Sequence, residues 1–137
     1  AVVEGNWGLG ESVVSGEITP DSFLVEKTSG TIVSSTISKK PRMVVYKKDG
    51  IGMVSVPVEK QEMPCISESE LKEIVRIALQ VESYFDMPQD MEWVFDADMT
   101  FPENLFWVQT RPAKFTVKKK EDDAEYLAEL MTRIFKM

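Results

Sequence analysis

Hydrophobic and polar residues along this 137-residue chain change their period several times, and each change predicts an element. The clearest stripe is Leu71, Ile74, Val75, Ala78, Val81 and Phe85, spaced by three and four, which is one face of an amphipathic helix. Ser67-Glu68-Ser69-Glu70 stands before it as a capping box, and Asp86, Met87 and Pro88 end it. Residues 89–96 and 105–111 alternate with period two, and the eight residues between them include Pro102, so this region predicts a hairpin with a long loop. Pro112 closes its second strand. Upstream, Phe23, Val25 and Lys27 alternate as a strand. Residues 31–38, 43–47 and 51–58 are extended runs, the last two joined by Lys48-Asp49-Gly50, and together they predict a β-meander. Gly5, Gly8 and Gly10 crowd a tight turn, and Gly16 closes the short segment after it. A charged linker, Lys118 to Asp123, leads to a final stripe of Tyr126, Leu127, Leu130 and Ile134, predicting a C-terminal helix. The opening Ala-Val-Val-Glu-Gly reads as the middle of a strand, so the expectation is a piece excised from a longer protein.

Composition narrows the chemistry. With 43% apolar and 28% charged residues the chain suits one domain with its own core. A net charge of −7 speaks against nonspecific attachment to nucleic acid or anionic membranes. No apolar run approaches the roughly 20 residues that span a bilayer. The lone Cys65 has no internal partner and reads as inert, which fits a reducing compartment, and the cytoplasm is expected. The chain has no histidine, which removes the commonest general base, the commonest metal ligand and any phosphohistidine. Lys39, Lys40, Arg42, Lys47 and Lys48 crowd one stretch; they are a solvated edge kept from pairing by its charges, or a basic lip for phosphates.

Parity places the polar groups of the hairpin. Glu92, Val94 and Asp96 share one face of the first strand, and Leu105, Trp107, Gln109 and Arg111 one face of the second. Pairing Glu92 with Gln109 sets Val94 against Trp107 and Asp96 against Leu105, and it brings Glu92, Gln109 and Arg111 to one surface. Such a surface is an exposed polar ladder, or a pair of hard oxygens suited to Mg²⁺ beside an arginine suited to a phosphoryl group. Trp7, Trp93 and Trp107 could stack on a base, but alternating aromatics are usually core, and Trp93 is expected there.

Three separated segments add a family likeness. GNWGLGESVVSGEITPD at residues 5–21, MPQDMEW at 87–93 and VQTRP at 108–112 stand in the order found in the nucleotide-binding domain of phosphoenolpyruvate synthases, pyruvate phosphate dikinases and related phosphotransferases. The chain resembles that family over roughly residues 1–116, with 117–137 as linker and C-terminal helix. The resemblance implies an α+β fold, the C-terminal lobe of an ATP-grasp domain: a mainly antiparallel sheet, one long packed helix and a C-terminal helix. It implies ATP and Mg²⁺ as cofactors, with Glu92 and Gln109 as metal ligands, Arg111 as the catalytic contact to the ATP phosphates, and Glu11 near the nucleotide. Glu11 also reads as a solvated residue at a helix start, and Gly8 and Gly10 would allow close backbone approach or an anion nest.

The family passes phosphate through a histidine on a swivelling domain, which this chain lacks, and it grips ATP with an earlier lobe that is also missing. The expected partners are therefore that lobe and a phosphohistidine domain, with no nucleic acid and no membrane, and the isolated chain is expected to be inactive. The other readings are a noncatalytic docking fragment of a split, phenylphosphate synthase-like enzyme, and an RNA-contacting meander.

Overall fold

The computed structural model describes residues 1–10, 18–113 and 133–136, the last four by their backbone. Its elements run β1 (Val2–Gly5), β2 (Asp21–Val25), β3 (Ile32–Thr36), β4 (Arg42–Lys47), β5 (Gly50–Ser55), a 3-10 turn (Val58–Lys60), α1 (Glu68–Phe85), β6 (Gln89–Phe95), β7 (Leu105–Pro112) and β8 (Arg133–Lys136). Six strands make one sheet in the order β3-β2-β1-β8-β6-β7, and β4 and β5 make a separate hairpin. The β8 strand pairs parallel with β1 and β6, and the other pairs are antiparallel. The expected α+β class, mainly antiparallel with one long helix, is what forms.

Helix α1 starts and stops where its signals stand. Ser67 Oγ accepts from the Glu70 amide at 3.2 Å, and Glu70 Oε1 accepts from the Ser67 amide at 2.8 Å. Both bonds satisfy amides that the first turn leaves without helical partners. At the other end Asp86 takes a left-handed conformation, φ 54°, which reverses the chain before Pro88. The stripe of Leu71, Ile74, Val75 and Ala78 is buried against Val3, Phe23, Val25, Met91 and Trp93 of the sheet. Each large side chain sealed there contributes about 1.5–3 kcal/mol. Val81 packs only partly on this core. Phe85, predicted to share the stripe, is 46% exposed and stands edge-to-face with Tyr84 rather than in the core.

Three expectations about strands are corrected. The middle of the chain is no continuous meander: β3 pairs with β2, and β4 pairs with β5. Lys27 lies beyond β2 rather than in it, and its ammonium meets Glu82 of α1 at 2.7 Å, where an ion pair replaces strand pairing. Ile134, predicted in a C-terminal helix, lies in β8 between β1 and β6, a slot in which both edges supply backbone partners. The rest of that predicted helix, Tyr126, Leu127 and Leu130, lies outside the described residues.

The lysine cluster divides. Lys39, Arg42, Lys47 and Lys48 are exposed, as a solvated edge requires, but Lys40 is fully buried. Its ammonium meets Asp21 Oδ1 at 2.7 Å and donates to the Ser38 carbonyl at 2.8 Å. Asp21 also accepts from the Ser38 amide at 2.8 Å and the Cys65 amide at 2.9 Å. Higher up, the β4–β5 hairpin is held by the glycine turn. Gly8 forms a bridge with Val44, and the Leu9 amide donates to the Val44 carbonyl at 2.8 Å. Gly8 has φ +75°, and a Cβ there would run into the Val44 carbonyl oxygen and lie 3.1 Å from the Met43 Cβ. Of the two uses of glycine left open by the sequence, this one is close backbone approach.

Removing one member of the buried pair strands the other charge. Lys40→Met should lower unfolding free energy by about 3–5 kcal/mol, and Lys40→Met with Asp21→Asn should recover part of that loss, both read from urea unfolding. Gly8→Ala should cost about 1–3 kcal/mol through the left-handed backbone and the collision. Its amide shifts should move at Met43 to Val45 while those of α1 stay in place.

Candidate functional site

The sheet has two unlike faces. One carries Val3, Phe23, Val25, Met91 and Trp93 into the core under α1. On the other, β6 presents Asp90, Glu92 and Val94, all half-buried. Strand alternation alone puts these two sets on opposite sides.

Glu92 and Gln109 are direct partners across β6 and β7, as the sequence predicts. Such partners have Cβ atoms about 4.5–5.5 Å apart, so the carboxylate and the amide oxygen can reach one ligand. Asp90 pairs with Arg111, whose Nε lies 3.8 Å from Asp90 Oδ2 while the side chain stays 60% exposed. That is a loose surface contact, and the guanidinium retains most of its donors for another anion.

Beyond Glu92 the predicted register breaks. Trp93 pairs with Trp107, Val94 with Phe106 and Phe95 with Leu105, so Val108 is an extra residue in β7. This β-bulge corrects the predicted pairings of Val94 with Trp107 and Asp96 with Leu105, and it also divides the predicted common face. Trp107 and Leu105 turn to the core, whereas Gln109 and Arg111 stay outward. One inserted residue thus lets the same strand supply core aromatics at one end and polar ligands at the other. Trp93 is fully buried, as expected of a core aromatic, and Trp107 packs partly against the core. Trp7 also packs there and donates from its indole to the Lys60 carbonyl at 3.1 Å.

The structure brings Glu92, Gln109 and Arg111 together; Glu11 lies outside the described residues. It also adds a residue that sequence reasoning missed. Glu4 of β1 is in register with residue 135 of β8, which is in register with Glu92. The two glutamates therefore share a row and a face, separated by two strand spacings, about 9.5 Å. No signal pointed to Glu4, because its neighbour in the row belongs to a segment with helical periodicity.

Two opposed oxygens are a sparse donor set, and among the described residues no group of three or more His, Cys, Asp and Glu side chains is placed to hold a metal ion. Sparse donors suit Mg²⁺, which keeps waters and takes phosphate oxygens besides one or two carboxylates. They do not suit a structural zinc centre, which needs four protein ligands. No described helix is long and apolar enough to cross a membrane.

Comparison with known proteins gives the family of the chain. Residues 1–131 match the family described as pyruvate phosphate dikinase, AMP/ATP-binding domain. The chain is 32% identical to the phosphoenolpyruvate synthase of Aeropyrum pernix, an alignment covering 88% of this chain and 18% of that protein. It is 35% identical to the phosphoenolpyruvate synthase of Pyrococcus furiosus, over 94% of this chain and 16% of that protein. A probable phosphoenolpyruvate synthase of Methanocaldococcus jannaschii is also 35% identical, over 90% of this chain and 11% of that protein. The chain thus spans less than a fifth of the length of these relatives. With the family match running through both strands of the Glu92–Gln109 pair, this chain belongs to the pyruvate phosphate dikinase AMP/ATP-binding domain family.

Proposed function

We propose that the chain is the Mg-ATP-binding part of a dikinase-type phosphotransferase, which moves phosphate from ATP to a carrier histidine on another domain and then to pyruvate or a similar small acceptor. The observation that carries this reading is the direct pairing of Glu92 with Gln109, with Arg111 outward on the same strand as Gln109. The fold fits the later lobe of an ATP-grasp domain, with the polar face of the sheet turned toward an earlier lobe. The compartment that suits an ATP-fed enzyme of this kind is the cytoplasm.

In this reading Glu92 and Gln109 would each offer one oxygen to a Mg²⁺. The metal, when bound, offsets charge on the phosphates. Arg111 leaves its loose contact with Asp90 and takes a phosphate oxygen, where its planar donors suit a forked contact. Burial of Trp93 and Trp107 behind the two strands keeps the ligand pair from drifting, so the contribution of this chain is positioning and charge neutralisation. With no histidine in the sequence, the phosphoryl carrier must come from elsewhere. The isolated chain then binds nucleotide without turning it over.

Titration of Mg-ATP into the chain, followed by NMR, should give saturable shifts around Glu92, Gln109 and Arg111. Glu92→Ala and Gln109→Ala should each weaken binding by about tenfold to a hundredfold, as expected for losing a contact to a charged group worth roughly 1.5–3 kcal/mol. Unchanged affinity in both folded variants would remove the metal assignment.

A further inference from the structure

Among the described residues the six-stranded sheet ends in β3 on one side and in β7 on the other, and the two edges are built differently. An edge strand offers unpaired amides and carbonyls to any extended chain, and folded proteins blunt it with charge, proline or a bulge. Strand β7 has all three, in Arg111, Pro112 and the Val108 bulge. The separate β4–β5 hairpin carries Arg42 and Lys47, with Lys48 in its turn. Strand β3 has neither a charge nor a proline. Every residue from Thr28 to Ser38 is uncharged, in a chain of which 28% is charged. Its single protective device is the extra residue Val33 opposite Leu24 and Val25, and its register is regular from Ser34 to Thr36.

The side chains of β3 are as open as its backbone. A strand with one face on a core alternates in burial, as β2 does, yet all five residues of β3 are exposed. Val33 is 61% exposed, and Ile32 and Ile37 are exposed beside it. None of the three packs against the core.

We propose that β3 is an interface on which a second copy of this chain lays its own β3 antiparallel, joining two sheets into one across a two-fold axis. Such an axis turns an antiparallel edge onto itself, so each copy supplies the backbone partners that the other lacks. With the axis at Ser35, Val33 of each copy lies opposite Ile37 of the other, and both exposed apolar side chains gain a neighbour.

Charge favours this orientation. The turn before β3 carries Glu26, whose carboxylate accepts from the Ser29 hydroxyl, from the Ser29 amide at 2.6 Å and from the Thr28 amide at 3.1 Å. Those bonds lower its pKa to about 2, so it is ionised at neutral pH. Lys39, exposed, stands at the other end of the strand. Antiparallel pairing brings each Lys39 toward the Glu26 turn of the partner, whereas parallel pairing would set like charges together. A strongly charged strand from an unrelated protein would find no counter-charge along residues 28–38. Strand β3 lies four strand spacings, about 19 Å, from β6, so the pairing leaves the Glu92–Gln109 face open.

The test uses this chain in solution. Sedimentation over a range of concentrations should show a reversible monomer–dimer equilibrium, and a mixture of isotope-labelled and unlabelled chain should give NOEs between Val33 and Ile37 methyls of different copies. Val33→Lys sets an ammonium at that contact and should weaken the dimer at least about tenfold, with the amide shifts of α1 unchanged. Lys39→Glu should weaken it about threefold, since exposed ion pairs are worth little. A chain that stays monomeric up to about 1 mM, or a dimer that Val33→Lys leaves as tight as before, overturns the proposal. So does a dimer whose intermolecular contacts fall on Tyr84 and Phe85 or on the β4–β5 hairpin.

Discussion

A carboxylate sealed from water must have its charge balanced and its oxygens hydrogen-bonded, or the fold that seals it is unstable. Asp21 meets that demand with groups from separate parts of the chain: the Ser38 amide and Lys40 ammonium ahead of β4, and the Cys65 amide ahead of α1. Because Asp21 itself opens β2, this contact fixes where the hairpin and the helix leave the sheet. The Lys40 amide extends the tie by donating to the Gln61 carbonyl at 2.7 Å. A buried ion pair is weak evidence for net stability, but its members are exacting about position, and here position is what the candidate site requires.

The hairpin fastened in this way stands apart from the main sheet among the described residues, and its upper contact is the approach of Val44 to Gly8. A side chain at residue 8 would separate the two backbones, so the glycine turn acts as a joint. The same turn carries Trp7, whose indole bonds the Lys60 carbonyl while the Lys60 ammonium sits 5.6 Å from the ring centroid. Sheet, hairpin and the lead-in to α1 therefore meet around residues 6–9, beside the ladder that presents Glu92 and Gln109. A segment rich in glycine near a candidate phosphate site invites reading as a phosphate cradle. Gly8 has a sufficient reason in packing alone.

Local signals made α1 and the β6–β7 hairpin legible in the sequence, because caps and periodicity act within a few residues. Glu92 opposite Gln109 followed from parity and register. The Val108 bulge did not, since one extra residue leaves alternation intact on either side and changes only their relation. Lys40 looked like its exposed neighbours, because its partner is nineteen residues away at Asp21 and only the tertiary fold seals them together. Glu4 was hidden for a different reason: it meets the Glu92 row through a parallel strand drawn from the far end of the chain. Ile134 carried helical spacing, and the vacant edges of β1 and β6 outweighed that preference, as tertiary context often does.

The electrostatics of the polar face set a condition on any phosphate ligand. Glu4, Glu92 and Asp90 share that side of the sheet, and the whole chain carries −7. A polyphosphate approaching alone would meet repulsion from each of these groups, with Arg111 as the nearby positive charge contributed by β7. Two conditions reverse the sign. In the proposed reading, a divalent cation held by Glu92 and Gln109 would turn a repulsive carboxylate into a ligand. A second surface supplying basic groups from across the cleft would do the rest. Acidic residues on this face suit the proposed metal-dependent binding, in which affinity would depend on a bound cation and one oriented arginine rather than on a broad positive field.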